Sequence, residues 1–434
     1  MRIAVVPNDV TLPAEWRNTR IALFEHPTTT MRGSVGANVP KDFIKQMGRT
    51  VSNVGWDIAA LSLAVIVADR YVNRSRASAD GWTRQIELAV SVSDASLWDT
   101  LKLKIQDILG FLTGDLWYLT FFDGGIHPRN PKPRKNPSTA SSVSLLSGGL
   151  DSLIGAIDLT TNGETPLFVS NIVRGDMEKQ SDFAKALHTT SDRFIQLNHN
   201  AKTVTEYAPE ISQRPRSLAF IAFGILAAMA TNKYAEGDRV TLYVPENGFI
   251  SLNVPLTPLR GGSLSTRTTH PLFLSGIQMI LNELNIRVDI INPYQFKTKG
   301  EMMRECANQD YLSNLAHKSM SCGRSGRKYL HCGRCLPCLV RRGAFYKWKE
   351  NIVKDKTPYM FPKTSTNFLG ADFSHYDDVL QIGSALRQLR TGGRQRWIGM
   401  AVNPIDYQYP DHYRSVAVRG LEEVGVFLKA AGIF

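Results

Sequence analysis

The sequence predicts an α/β fold built on a parallel sheet, and three features carry that expectation. Short apolar runs at residues 143–146, 167–170, 193–197 and 239–244 have the length and composition of buried strands. Helix-patterned stretches at 182–190 and 218–234 lie between them, the alternation that a parallel sheet covered on both faces requires. The first run also feeds a glycine-bearing loop and then a helix from Leu153, the strand–loop–helix unit on which such sheets place their ligands.

Residues 1–126 are expected to form a smaller α+β domain. Strands are predicted at 2–6, 20–24, 82–93 and 117–122; the third shows strict alternation through Ile86, Leu88, Val90 and Val92. Helices are predicted over 42–71 and 97–112, the latter with Leu97, Leu101, Ile105, Ile108 and Leu109 on one face. No motif with its own chemistry stands out here. Residues 127–142 read as a linker, because Pro128, Pro131, Pro133 and Pro137 prevent regular structure among Arg129, Lys132, Arg134 and Lys135. Residues 143–346 form the main domain. Residues 347–434 form a mainly helical extension, with helical spacing over 379–390 and 415–431.

Composition bounds the function. With 434 residues, 43% of them hydrophobic, the chain can bury a substantial core and is long enough for two or three domains. Its formal charge of +12 favours anionic partners: nucleotides, an acidic protein or nucleic acid, the last supported by no motif. Arg387, Arg390, Arg394 and Arg396 cluster around two glycines, a pattern that suits a solvated loop better than a nucleic-acid site. The longest apolar run, 218–230, is too short to span a bilayer, and the first residues lack an export pattern. A cytoplasmic protein with no membrane partner is therefore expected.

The loop Ser147-Gly148-Gly149-Leu150-Asp151-Ser152 is the first chemical signal. Paired glycines let main-chain amides turn outward, and a helix N-terminus attracts phosphate. Ser147 and Ser152 add hydroxyls, and Asp151 can help hold the Mg²⁺ that accompanies ATP. The alternative is a plain turn in which Asp151 or Ser152 caps the helix. The second signal is Cys322, Cys332, Cys335 and Cys338 in the spacing Cys-x9-Cys-x2-Cys-x2-Cys. Four thiolates close a tetrahedral Zn²⁺ shell. An iron–sulfur cluster is the competing ligand set. Arg324, Arg327, Lys328 and Arg334 would offset the negative charge, and Cys306, inside a helical pattern over 301–308, reads as core.

These residues carry a resemblance. The hexapeptide matches the SGGxDS motif of PP-loop ATP pyrophosphatases, and together with the following CGxCxxC it resembles the 7-cyano-7-deazaguanine synthases, the QueC-type enzymes. Pro215-Arg216-Ser217 resembles that family's Pro-x-Arg-Asn segment, with Ser in place of Asn. The stretch from Lys297 to Met302 resembles its Lys-x-Glu motif at Lys299. The resemblance covers about residues 143–346 and implies an adenine-nucleotide α-hydrolase-like (HUP) sheet with flanking helices and a four-cysteine zinc module. It further implies ATP-dependent adenylation of a 7-carboxy-7-deazaguanine-like acid, followed by amide formation. Asp151, Lys299 and Arg216 would act on the phosphates, and residues 147–152 would cradle them. The longer chain, with its leading domain and tail, is similar to the QatC-type proteins of bacterial anti-phage systems. That similarity implies partner proteins of one defence module and an acceptor amine on a protein N-terminus in place of ammonia.

Other residues admit two readings each. Glu246, after the run ending at Val244, could accept hydrogen bonds from a guanine-like ring, or belong to a turn marked by Asn247-Gly248. Arg267 and His270, in a hydroxyl-rich stretch over 265–271, could position substrate or cap the helix after Pro271. Arg174 and Asp176 could approach adenine or ribose. Competing functions are tRNA thiolation or lysidine-type modification, and a non-catalytic ATP-binding scaffold.

Overall fold

The computed structural model describes residues 1–126, 128, 138–172, 177–204, 209–210, 214–256, 267–323, 329–348, 355–361, 378–391, 398–399, 402–403 and 406–433. Among the described residues, eleven strands form two sheets. They are β1 Arg2–Val6, β2 Arg20–Leu23, β3 Gly33–Val35, β4 Gln85–Val92, β5 Leu116–Asp123, β6 Ser142–Leu145, β7 Pro166–Asn171, β8 Phe194–Leu197, β9 Lys202–Thr203, β10 Val240–Tyr243 and β11 Val288–Ile291. The described helices are α1 Val39–Met47, α2 Asn53–Tyr71, α3 Arg74–Ala77, α4 Ala95–Thr113, α5 Leu150–Thr161, α6 Met177–Ala186, α7 Leu218–Met229 and α8 Asn232–Ala235. They continue as α9 Gly248–Leu252, α10 Pro271–Glu283, α11 Lys299–Arg304, α12 Gln309–Leu315, α13 Leu336–Trp348, α14 Asp378–Arg390 and α15 Pro410–Ala430.

The second sheet runs β11-β10-β6-β7-β8, and every pair in it is parallel. The chain leaves β6 towards β8, then returns to place β10 on β6's other side. The strand order therefore reverses between β6 and β10, and a crevice opens beyond their carboxyl ends. The first sheet, β5-β4-β1-β2-β3-β9, repeats that order over its first five strands, also in parallel. This corrects the α+β expectation for residues 1–126: alternation reveals a half-buried strand but not its direction. Among the described strands only β9, contributed from beyond β8, pairs antiparallel, against β3.

The likeness extends to the helices. α2 joins β3 to β4 and packs on α7, its counterpart between β8 and β10; α4 packs likewise on α10. Because α2 and α7 lie between two sheets, they are buried almost all round and show no polar face. One hydrophobic core runs through this layer, from Ile3, Val5 and Val90 to Leu145, Val169 and Leu242. The corresponding edge strands β5 and β11 are also protected in the same way. The Gln106 side chain of α4 accepts from Leu119 N of β5 at 2.9 Å. The Gln278 side chain of α10 accepts from Ile290 N of β11 at 2.8 Å.

The two units differ at the crevice. After β1 the chain forms no α-helix; residues 7–18 fold back so that Leu12 and Trp16 cover Ala4, Val6 and Ala89. After β6 the helix α5 begins at once. The single helix expected over 42–71 is also divided, into α1 and α2, because Gly48 ends α1 with φ +66°. The tail beyond α13 contributes α14 and α15, whose apolar faces close a second core with α9 and α13. Of the basic cluster noted above, Arg394 and Arg396 lie outside the described residues. Among the described residues, no helix is long and apolar enough to cross a membrane.

Candidate active site

The loop after β6 lies at the crevice. Gly148 takes φ +85°, which L side chains rarely adopt, and this turns the chain into α5. The loop is closed on itself. Ser147 Oγ and Ser152 Oγ stand 3.0 Å apart, Gly149 N donates to Ser147 Oγ at 3.2 Å, and Ser147 N donates to Ser152 Oγ at 3.1 Å. These weak internal bonds occupy the donors that a phosphate would otherwise draw. Ser147 and Ser152 also line a cavity of about 170 Å³ with Ser217, Phe220, Glu246 and Thr269.

Behind the loop lies a buried charged group. Lys299 Nζ stands 2.5 Å from Asp151 Oδ1, with the two side chains 7% and 6% exposed. Asn247 donates to Asp151 Oδ2 from its main-chain N (3.1 Å) and from Nδ2 (2.7 Å). Burial opposes ionisation of Asp151, but the Lys299 ammonium overrides it and holds the carboxyl well below its usual range. Glu246 is the opposite case. Burial, reinforced by the neighbouring Asp151 anion, makes it keep its proton far above the ordinary carboxylate range. Its main chain is fixed by Asn292, which receives Glu246 N at 3.3 Å and donates to Glu246 O at 2.8 Å.

Lys299 opens α11, whose N-terminus is a capping box. Thr298 Oγ1 receives Glu301 N, and the Glu301 carboxylate receives Thr298 N at 2.8 Å. The sequence thus places a lysine at the first turn of a short helix, and the sheet crevice brings that helix to α5.

The four cysteine sulfurs all lie within 4.8 Å of one another. Cys322–Cys335 and Cys332–Cys338 are 3.8 and 3.9 Å apart. A tetrahedron with metal–sulfur bonds of about 2.3 Å has edges of about 3.8 Å, so the set fits Zn²⁺ with no open position. Gly333, at φ +86°, makes the turn between ligands; Arg334 N and Cys335 N donate to Cys332 Sγ at 3.4 and 3.3 Å. The module touches the loop directly, through Met320 N to Gly148 O at 3.0 Å.

The crevice thus brings together Ser147, Gly148, Gly149, Leu150, Asp151 and Ser152 with Glu246 and Lys299. Arg216 is exposed just before Ser217, the residue that lines the cavity. Arg267 and His270 are engaged elsewhere. Arg267 stacks on Phe111 and donates to its carbonyl at 3.0 Å, and His270 accepts from Leu272 N at the start of α10. Thr268 and Thr269, between them, line the cavity instead. Cys306 is buried in the core under α5 and stands apart from the metal group. Arg174, Asp176, Ser265 and Thr266 lie outside the described residues, as do Arg324, Arg327 and Lys328. Asn247 and Asn292 carry roles that the sequence did not disclose. The Asn-Gly pair after a strand was a signal for a turn; its side chain caps α9 through Ile250 N as well as holding Asp151.

The family model for the queuosine biosynthesis protein QueC matches residues 269–349. No curated protein and no solved structure matches the chain. The matched segment begins at Thr269 in the cavity wall, supplies Lys299 and contains all four cysteines, while the loop at 147–152 lies outside it. Residues 269–349 are therefore similar to QueC.

Proposed function

We propose that this protein adenylates a 7-carboxy-7-deazaguanine-like acid and passes the acyl group to an amine. The observation that carries the reading is the buried Asp151–Lys299 pair set behind a serine-lined loop at the strand-order reversal. A substrate carboxylate oxygen attacks the α-phosphorus of ATP. The bond from that phosphorus to the bridging oxygen breaks, and pyrophosphate leaves. The loop amides and the α5 N-terminus hold the leaving pyrophosphate, with Lys299 and Arg216 offsetting its charge. The amine nitrogen then attacks the acyl carbon. AMP departs with the carboxylate-derived oxygen, and the amine loses one proton.

Asp151 would help hold Mg²⁺, which would supply charge neutralisation on the phosphates. Shielding of Asp151 would let Glu246 ionise and accept from two ring donors of the acid. The ring itself suits the wall between Phe220 and Thr269. Zinc would serve structure: the four thiolates would fill its shell, and the module braces Gly148. The acceptor is ammonia or the N-terminal amine of a partner protein, in an anti-phage module.

Purified protein incubated with ATP, Mg²⁺ and 7-carboxy-7-deazaguanine should release AMP, and Asp151→Ala should abolish release. Exchange of labelled pyrophosphate into ATP should require the acid. No exchange with any deazaguanine acid would overturn the reading in favour of a nucleotide-binding scaffold.

A further inference from the structure

The C-terminal helix α15 reaches the helix that carries Lys299. Glu423, buried in the middle of α15, receives Thr298 Oγ1 at 2.7 Å and Gly300 N at 2.9 Å. It thereby accepts from the N-cap hydroxyl and one of the unpaired amides of α11, where a carboxylate also meets the positive end of the helix. One turn earlier, Arg419 binds the Glu301 carboxylate at 2.8 Å and Phe296 O at 2.7 Å. Gly300 has an ordinary φ, so its glycine answers to space. A Cβ there would stand 2.5 Å from Glu423 Oε2. The same helix also presses on the Asp151 side: a Cβ on Gly420 would meet the Phe249 ring at 2.4 Å, in α9 just after Asn247.

We propose that Glu423 is a positioning residue for Lys299, so that the C-terminal extension is part of the catalytic apparatus. The geometry has three links. Glu423 fixes the first turn of α11, that turn aims the Lys299 ammonium, and the ammonium meets Asp151. Removing the first link leaves Lys299 in the chain but releases its aim. Glu423 and Arg419 lie about seventy residues beyond the segment that the QueC family model matches. The role in catalysis rests on the ATP-dependent reading above, whereas the positioning itself does not.

The test uses the full-length, zinc-loaded chain. The variants are Gly300→Ala, which pushes the carboxylate away, Glu423→Asp, which withdraws it, and the pair together. Acylation of Lys299 by an amine-reactive ester is followed by peptide mass spectrometry. Each single variant should raise the Lys299 labelling rate about tenfold, with other lysines unchanged except Lys347, whose ammonium also pairs with Glu423 at 3.5 Å. The pair should label no faster than Glu423→Asp alone, since the shorter side chain makes room for the methyl group. In ATP–pyrophosphate exchange, kcat should fall in parallel with little change in the KM for ATP. Unchanged Lys299 labelling in folded variants overturns the proposal, and so does uniformly faster labelling of all lysines, which marks general loosening. Labelling needs no substrate. A wild-type protein that fails to exchange pyrophosphate therefore sinks the functional reading, while the labelling result still decides the positioning.

Discussion

Replacing Lys299 by methionine should destabilise the protein more than replacing Asp151 by asparagine, although each removes one half of the same ion pair. The pair is 2.5 Å long and almost fully buried. Breaking a buried pair by removing one partner costs about 3–5 kcal/mol, because the other charge is stranded. Lys299→Met strands the Asp151 carboxylate, with two donors from Asn247 and no cation, so the full cost applies. Asp151→Asn strands the ammonium, but only until Glu246 responds. Glu246 holds its proton through burial and the Asp151 charge. Burial still favours that proton, but with the Asp151 charge gone Glu246 should ionise more readily beside Lys299 and partly replace the counter-ion, so the loss should be smaller than for Lys299→Met. Adding Glu246→Gln to Asp151→Asn removes the substitute and should restore the larger loss. Melting curves of the four proteins at pH 7.5 and constant zinc measure this series. The Asp151 contribution is fully present above its ordinary pKa of 3.8 and is lost as pH falls below it, so pH 7.5 captures all of it. The reasoning fails if Asp151→Asn is as damaging as Lys299→Met, or if Glu246→Gln adds nothing to it.

Three further outcomes follow from the geometry. Gly148→Ala, forced to hold φ +85°, should lower stability by about 1–2 kcal/mol and weaken ATP binding measured by calorimetry. Stripping the metal with a chelator, or substituting Cys335→Ser, should lower the melting temperature and also loosen nucleotide binding, because Met320 ties the module to Gly148. His270 is held neutral, its pKa pushed down to about 3 by burial and then by Arg267. The unfolded chain binds the extra proton below pH 6.5, so stability should fall as pH drops from 6.5 towards 4. His270→Asn should flatten that slope by about 1.4 kcal/mol per pH unit, read from melting temperatures across the range.

The parts of the site legible in the sequence were those held by local pattern. The run into Ser147-Gly148-Gly149, the helix behind it and the cysteine spacing all depend on neighbours a few residues away. Strand direction in residues 1–126 was not legible, because β4 alternates apolar and polar residues whether its partners run parallel or antiparallel. Nor could the boundaries near 42–71 be read through Gly48, which a helical pattern tolerates until backbone geometry shows it in the left-handed region. Arg267 and His270 look chemical because of their side-chain types. Their work against Phe111 and at the start of α10 depends on where α4 ends, which no local signal records. Glu423 was hidden for the same reason, being 123 residues from the Gly300 amide it receives. The proton on Glu246 arises from its burial and from the Asp151 anion beside it, neither of which a local pattern records.

The repeated strand order gives this molecule a sidedness. Twin halves joined through matching helices would ordinarily present a pair of equivalent mouths, but Leu12 and Trp16 stopper one of them. Each chain should therefore take up a single nucleotide. The halves are also inseparable. A chain shortened to start at residue 138 would bare the apolar flank of α7 that α2 now shields, and should clump instead of working alone.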